Sequence, residues 1–293
     1  MIHRTGTLTT RDNLRLFTQA WLPEHLAAIV VVAHGYAEHS GRYLHVAEHL
    51  AAQGIATFAL DQRGHGHSEG ERALVGRLAD CVGDLAQFIA QIRAEHPDSP
   101  VFLLGHSMGG VVALQYALIY PQSVDGLITS GAFLLSAVPA PPWLRIALRL
   151  LSWVAPRLPV QPLNAALLSR DPAVVSAYDD DPMVYRGKVK ARMLDVLLSA
   201  GPLVLAQAER LTLPLLILHG GDDQIAAPEG SRRLHALAGA SDKTVRLYKD
   251  CYHELFNEPE QQRVLGDVTA WLRERLDLGV RAQGRLEGAL YES

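Results

Sequence analysis

Gly105-His106-Ser107-Met108-Gly109 places one serine between two glycines, after the apolar run 101–104 and before the stretch 111–120. The first run is short and rich in branched side chains, the pattern of a buried strand. The second has the spacing of a helix packed on a sheet. A strand-to-helix turn of the G-x-S-x-G type is too sharp for side chains at its glycines, and it holds its serine strained and exposed. The helix that follows presents unpaired backbone N–H groups to the serine, which suits negative charge developing on a substrate oxygen. The five residues alone are also the pattern of a Gly-rich turn; the flanking strand and helix are what favour a nucleophile.

A serine hydroxyl needs a base, and the base needs a carboxylate that fixes its tautomer. Two later loops supply both. The apolar run 215–218 leads into His219-Gly220-Gly221-Asp222-Asp223, and 245–248 leads into Lys249-Asp250-Cys251-Tyr252-His253-Glu254. Each loop follows a predicted strand, so Ser107, an aspartate and His253 can meet on one sheet edge in the chain order Ser, Asp, His. Asp222 and Asp223 are not separable on this ground, because either could cap the helix that starts near Pro228. His34, His65, His67 and His219 lie on different loops without a cysteine or carboxylate set, so neither a metal nor a cofactor is expected.

The elements that must position these residues follow from periodicity. Residues 6–22 alternate around a turn at Asp12-Asn13, an antiparallel hairpin at a sheet edge. Strands are predicted over 29–33, 55–60, 101–104 and 126–130. Helices follow from the stripe Leu44, Ala47, Leu50, Ala51 and from Leu78, Val82, Leu85, Phe88, Ile89 and Ile92 within 78–94. Strand, loop and helix repeated in this way give a mostly parallel sheet with helices on both faces. The rhythm breaks at Gly131, and helical stretches are predicted over 143–154, 161–168 and 188–208 before strands return at 213–218 and 244–248. The division expected is a core of 1–130 and 213–293 with a helical cap, 131–212, inserted over the carboxyl ends of the strands. Residues 261–276 form a closing helix, and the tail 279–293 is expected to fray.

Composition narrows the class. The chain has 293 residues, 48% hydrophobic and 20% charged, the balance of a globular enzyme. Its net charge is −4 and its 27 basic residues are scattered, which excludes a nucleic-acid-binding stripe. Cys81, in a helix, reads as a buried apolar residue, and with Cys251 it makes no disulfide framework. The first residues show no secretory signal and no early apolar run reaches the roughly 20 residues of a spanning helix. A cytoplasmic protein without an obligate protein partner is expected. On a helix from Pro142, Trp143, Ile146, Ala147, Leu150, Leu151 and Val154 share one face and Arg145, Arg149 and Ser152 another. Such a face can line an acyl tunnel, with basic residues at its edge able to meet an anionic membrane surface, or it can simply pack on the core.

The chain resembles the monoacylglycerol lipase family, with related lysophospholipases and serine aminopeptidase-like hydrolases, within the α/β-hydrolases. The resemblance is carried by His34-Gly35-x-x-Glu38-His39-Ser40-Gly41-Arg42-Tyr43, by Asp61-Gln62-Arg63-Gly64-His65-Gly66-x-Ser68-x-Gly70, by Gly105-His106-Ser107-Met108-Gly109-Gly110, by Ser169-Arg170-Asp171-Pro172, and by His219-Gly220-x-x-Asp223 with His253-Glu254. These span nearly the whole chain. The resemblance implies a catalytic set of Ser107, Asp223 and His253, with oxyanion donors from the backbone of Tyr36 and Met108. It also implies polar contacts near a glycerol group from Glu38, Arg42 and His106, the first two also suited to pinning the oxyanion loop. Trp143, Ile146 and Leu150 are the acyl-side candidates from the cap. Tyr36-Ala37 stands where some members have Ala-Gly. The implied activity is hydrolysis of a monoacylglycerol to glycerol and a fatty acid; the alternative is a lysophospholipase or general carboxylesterase of the same fold. Epoxide and haloalkane hydrolases carry an aspartate at the elbow, which Ser107 argues against.

Overall fold

The computed structural model describes residues 1–277 in full, and the frayed tail expected over 279–293 lies outside those described residues. The chain opens with a hairpin of β1 (Ile2–Thr9) and β2 (Arg15–Leu22), paired antiparallel from Ile2 with Leu22 to Thr9 with Arg15. Its turn holds Asn13 at φ 65, a left-handed conformation that Asn tolerates. Then come β3 (Ala28–Ala33), α1 (Leu44–Ala51), β4 (Ile55–Leu60), α2 (Leu78–Glu95), β5 (Val101–His106), α3 (Met108–Ile119) and β6 (Gly126–Ser130). After residues 131–212 the sheet resumes with β9 (Leu215–Gly220), α7 (Pro228–Leu237), β10 (Lys243–Tyr248) and the closing α8 (Gln261–Tyr291). The order across the sheet is β1-β2-β4-β3-β5-β6-β9-β10. From β4 to β10 neighbouring strands run parallel.

The uninterrupted apolar runs of the central strands reflect burial on both faces. Along β3, Val31 packs with Val82, Phe88 and Val111 on one side of the sheet. Val30 and Val32 pack with Leu50, Val268 and Trp271 on the other. In α1 the buried residues are Val46, Ala47 and Leu50, while Leu44 is exposed, a one-residue rotation from the expected stripe. Parallel pairing brings the carboxyl ends of β3, β5, β9 and β10 to one edge. The loops carrying Tyr36, Ser107, Asp223 and His253 all leave from there.

Residues 131–212 depart from the expectation in detail. They contain α4 (Pro142–Val154), β7 (Pro159–Gln161), α5 (Pro172–Asp180), β8 (Val189–Lys190) and α6 (Ala191–Leu205). The stretch 161–168 is no helix: it holds the end of β7 and a single 3-10 turn over Ala165–Leu167, capped by the Asn164 side chain. Helix α5 was not anticipated, although its start is signalled by Asp171, which accepts from Ala173 N–H at 2.9 Å, followed by Pro172 at the first helical position. Strands β7 and β8 pair antiparallel but are too short to leave a periodic trace in the sequence.

Candidate active site

Strand β5 ends at His106 and α3 begins at Met108, which leaves Ser107 alone at the turn with φ 52 and ψ −115. Few residues other than glycine adopt this backbone, and it is held here by its surroundings. A Cβ at Gly105 would stand 2.4 Å from Gly109 O, and one at Gly109 would stand 2.0 Å from Ala33 O. Strand, turn and helix therefore close only with glycine at both places. As the first residue of α3, Met108 has no intrahelical acceptor for its N–H. The N–H of Tyr36 has no acceptor among the described residues. Beside it Ala37 is held at φ 69, where the resemblance leads one to expect glycine in some members.

The structure brings Ser107, His253 and Asp223 into one buried chain of contacts. His253 Nε2 is 2.8 Å from Ser107 Oγ, and its Nδ1 is 2.7 Å from Asp223 Oδ2. The other carboxylate oxygen accepts from the N–H groups of Ile225 at 2.8 Å and Ala226 at 2.9 Å. Asp222 is exposed, so geometry separates the two aspartates in favour of Asp223. Burial works against charge on Asp223, but the adjoining His253, aided by His219, outweighs it and holds the carboxyl well below the usual range. For His253 burial pulls the pKa down and Asp223 pulls it up, with a net rise. The arrangement can pass the Ser107 proton to Nε2 and stabilise the resulting imidazolium through Asp223. His106 Nδ1 lies 3.0 Å from Ser130 O. Burial and the neighbouring His253 push its pKa down to about 4, so its ring stays neutral near pH 7.

Glu38 ties the loop after β3 together. Its Oε1 accepts from Gly35 N–H at 2.5 Å and from Tyr43 OH at 2.9 Å. Arg42 joins Glu38 to Glu254 across the site. Burial disfavours the charge on Glu38, yet Arg42 above all brings its pKa down to about 2. Glu38, His106 and Glu254 also border the cavity over Ser107, and Arg42 stands behind them in a smaller adjoining space.

That cavity has ≈ 620 Å³ of space between its walls, open solvent at its mouth included, and Leu163, Leu168, Val189, Leu194 and Leu197 line its apolar side. Trp143, Ile146 and Leu150 do not line it. They are 69%, 62% and 65% exposed, and their assignment to the acyl side is corrected here. Helix α4 packs on α6, with Ser152 (2% exposed) facing inward to Asp195 at 2.8 Å and Arg145 reaching Leu198 O at 2.8 Å. Because α6 already lies between α4 and the cavity, the apolar stripe of α4 turns outward. Periodicity identifies such a stripe without saying what faces it. The i, i+3 pair Leu194 and Leu197 was a readable signal for the true wall; Leu163 and Leu168, in irregular chain, gave none.

Among the described residues Cys251, Glu258 and Glu260 bring potential metal-binding atoms within 4.8 Å of one another. Their oxygens are already engaged: Glu258 Oε2 accepts from Arg170 Nε at 2.7 Å, Glu258 Oε1 accepts from the N–H groups of Arg170 and Tyr252, and Glu260 accepts from Arg170 Nη2. The donor set therefore does not fit a cation.

The profile of a family described as "Serine aminopeptidase, S33" matches residues 24–260. The chain is 40% identical over 261 residues to a monoacylglycerol lipase of Mycolicibacterium smegmatis, covering 89% of this chain and 93% of the relative. It is 34% identical over 272 residues to the monoglyceride lipase of Homo sapiens, covering 92% and 90% of the two chains. Among solved structures it is similar to the monoacylglycerol lipase of Paleococcus ferrophilus, with a TM-score of 0.79 at 29% identity over 94% of this chain and 100% of that one.

Proposed function

Since the chain belongs to the serine aminopeptidase, S33 family, we propose that it is a carboxylic ester hydrolase that cleaves monoacylglycerols to glycerol and a fatty acid. The observation that carries this reading is the position of Ser107: its hydroxyl, already bonded to His253, stands where an apolar cavity meets a polar end. In this reading the acyl chain lies against Leu168, Leu194 and Leu197, and the glycerol hydroxyls face Glu38, His106 and Glu254. Ser107 attacks the ester carbon as His253 removes its proton. The tetrahedral oxyanion takes hydrogen bonds from the N–H groups of Tyr36 and Met108. Protonated His253 then releases glycerol and afterwards activates a water that clears the acyl-enzyme.

Residues 131–212 act here as a cap, and the outward face of α4 supports transient contact with a lipid surface. Trp143, Ile146, Leu150, Trp153 and Val154 are all exposed on it, with Arg149 alongside. An amphipathic helix of this kind rests in a membrane interface. Among the described residues no helix is long and apolar enough to cross a membrane.

The test is a comparison of kcat/KM across matched dispersions of long-chain monoacylglycerol, diacylglycerol, lysophosphatidylcholine and a two-carbon ester. Monoacylglycerol is expected to lead, because a second acyl chain or a phosphocholine does not fit a polar end bounded by two carboxylates. Equal or better hydrolysis of any other member would move the enzyme to the lysophospholipase or general esterase class. Acyl length should act more gradually, since each buried methylene contributes only about 0.8 kcal/mol.

A further inference from the structure

Asp223 has two histidines, and only one of them faces Ser107. His219 lies at the C-terminal end of β9 and is fully buried. Its Nε2 is 3.0 Å from Ala226 O and 3.1 Å from Asp223 Oδ2. Both are acceptors, so this nitrogen carries the ring hydrogen. Nδ1, 2.7 Å from Ser231 Oγ, then accepts the hydroxyl hydrogen of Ser231 from α7. One N–H thus bridges two points of the turn that shapes the carboxylate. Ala226 is held twice, by its carbonyl on His219 and by its N–H on Asp223 Oδ1 at 2.9 Å.

We propose that His219 is a positioning residue for the reaction: it fixes Asp223 against His253 by donating its Nε2 hydrogen into the turn Asp223–Ala226. The inference rests on the catalytic reading above. It has two physical consequences. The Oδ2 that accepts His253 Nδ1 at 2.7 Å also faces the His219 N–H, so its charge is dispersed over two donors. Removing the His219 donor concentrates that charge on His253 and favours the imidazolium. It also frees the Ala226 carbonyl, so the carboxylate is less sharply aimed and turnover falls.

Other groups around His253 stay in place under such a change. Asp223, Glu254 and Glu38 favour its protonated form. Neutral His106, from the end of β5, packs its ring centroid 4.9 Å away. The sign of the pH effect is therefore set by Asp223. Only neutral His253 can accept the Ser107 proton, so a raised pKa moves the acid limb of kcat/KM to higher pH.

Two polar variants separate positioning from packing. Glutamine carries its amide nitrogen at nearly the place of Nε2, whereas asparagine reaches only the place of Nδ1. His219→Gln should keep the acid limb where the unsubstituted protein has it, and kcat within about threefold. His219→Asn should move the limb up by about half a pH unit and lower kcat by about tenfold, with KM for a soluble ester little changed. Circular dichroism melting on both accompanies the kinetics. Equal limbs and equal kcat in the two variants would overturn the proposal, whether both match the unsubstituted protein or both are impaired. His253→Ala in the same assay tests the underlying reading separately. If it keeps its rate, the catalytic assignment falls and the positioning role with it; if it is inactive while the Gln and Asn variants agree, only the positioning role falls.

Discussion

Arg42 spans two buried carboxylates: its Nη1 lies 2.9 Å from Glu38 and 2.7 Å from Glu254, and its Nη2 lies 2.7 Å from the second oxygen of Glu254. Glu38 belongs to the loop that offers the Tyr36 N–H, and Glu254 follows His253. One guanidinium thus joins the loop of Tyr36 to the loop of His253. Removing one partner of such a cluster leaves unpaired buried charge. Arg42→Met should cost about 3 kcal/mol of stability. Arg42→Met combined with Glu254→Gln should recover part of that loss in urea melting, and a double variant no better than the single one would contradict the arrangement.

The same cluster sets an acid limit on the fold. Arg42 holds Glu38 down to about 2 and holds Glu254 below its usual value against the opposing effect of burial. For carboxyls depressed in the folded state, the stabilisation is complete above the unfolded value of about 4.3 and is lost as pH falls through the folded one. Unfolding free energy of the unsubstituted protein should therefore decline between roughly pH 4 and pH 2, and Glu38→Gln should flatten that slope. An unchanged slope in the variant would place the acid-sensitive charge elsewhere.

Activity should fail at a higher pH than the fold. His253 is raised above its ordinary value, with Asp223 overcoming burial. Its protonation adds stability that is present below the unfolded value of about 6.5 and lost as pH rises through the folded one. In the proposed reaction that protonation also blocks catalysis, so kcat/KM is expected to fall with decreasing pH around a midpoint above about 6.5. A midpoint at or below the free imidazole value would mean that Asp223 is not the dominant neighbour.

The outward face of α4 and the inward face of α6 should separate interface effects from tunnel effects. Trp143→Ser with Leu150→Ser should leave hydrolysis of a soluble short-chain ester within about twofold and reduce hydrolysis of vesicle-dispersed monoacylglycerol several-fold. Leu197→Trp narrows the cavity itself, and it should lower kcat/KM more for long acyl chains than for short ones on soluble and dispersed substrates alike. If both changes produced the same pattern, α4 would have to contribute to the tunnel.

Much of the core was legible because its patterns are physical necessities. The alternation of 6–22 and the branched runs at 29–33 and 101–104 mark strands with one or two covered faces. Gly105 and Gly109 mark a turn with no room for a side chain. The polar set around Ser107 was readable as residue types at strand ends, although residue chemistry alone left Asp222 and Asp223 open and only the resemblance pointed to Asp223, which lies 2.7 Å from His253. Residues 131–212 were read less well. An apolar stripe such as Trp143, Ile146 and Leu150 has the same period whether it faces a cavity, a core or a lipid surface. The two bonds that Glu258 Oε1 and Oε2 accept from Arg170 depend on a fold that brings positions 88 residues apart together.

Covalent labelling tests the central assignment most directly. The protein is treated with a serine-reactive phosphonate ester, hydrolysis of monoacylglycerol is followed, and the adduct is located by peptide mass mapping. A single adduct on the peptide containing Ser107, rising in step with loss of activity and absent from Ser107→Ala, is the predicted result. That variant should also hydrolyse monoacylglycerol several powers of ten more slowly while keeping a residual rate from the oxyanion donors. An adduct on another serine, or a Ser107→Ala protein that labels and turns over like the original, would contradict the account.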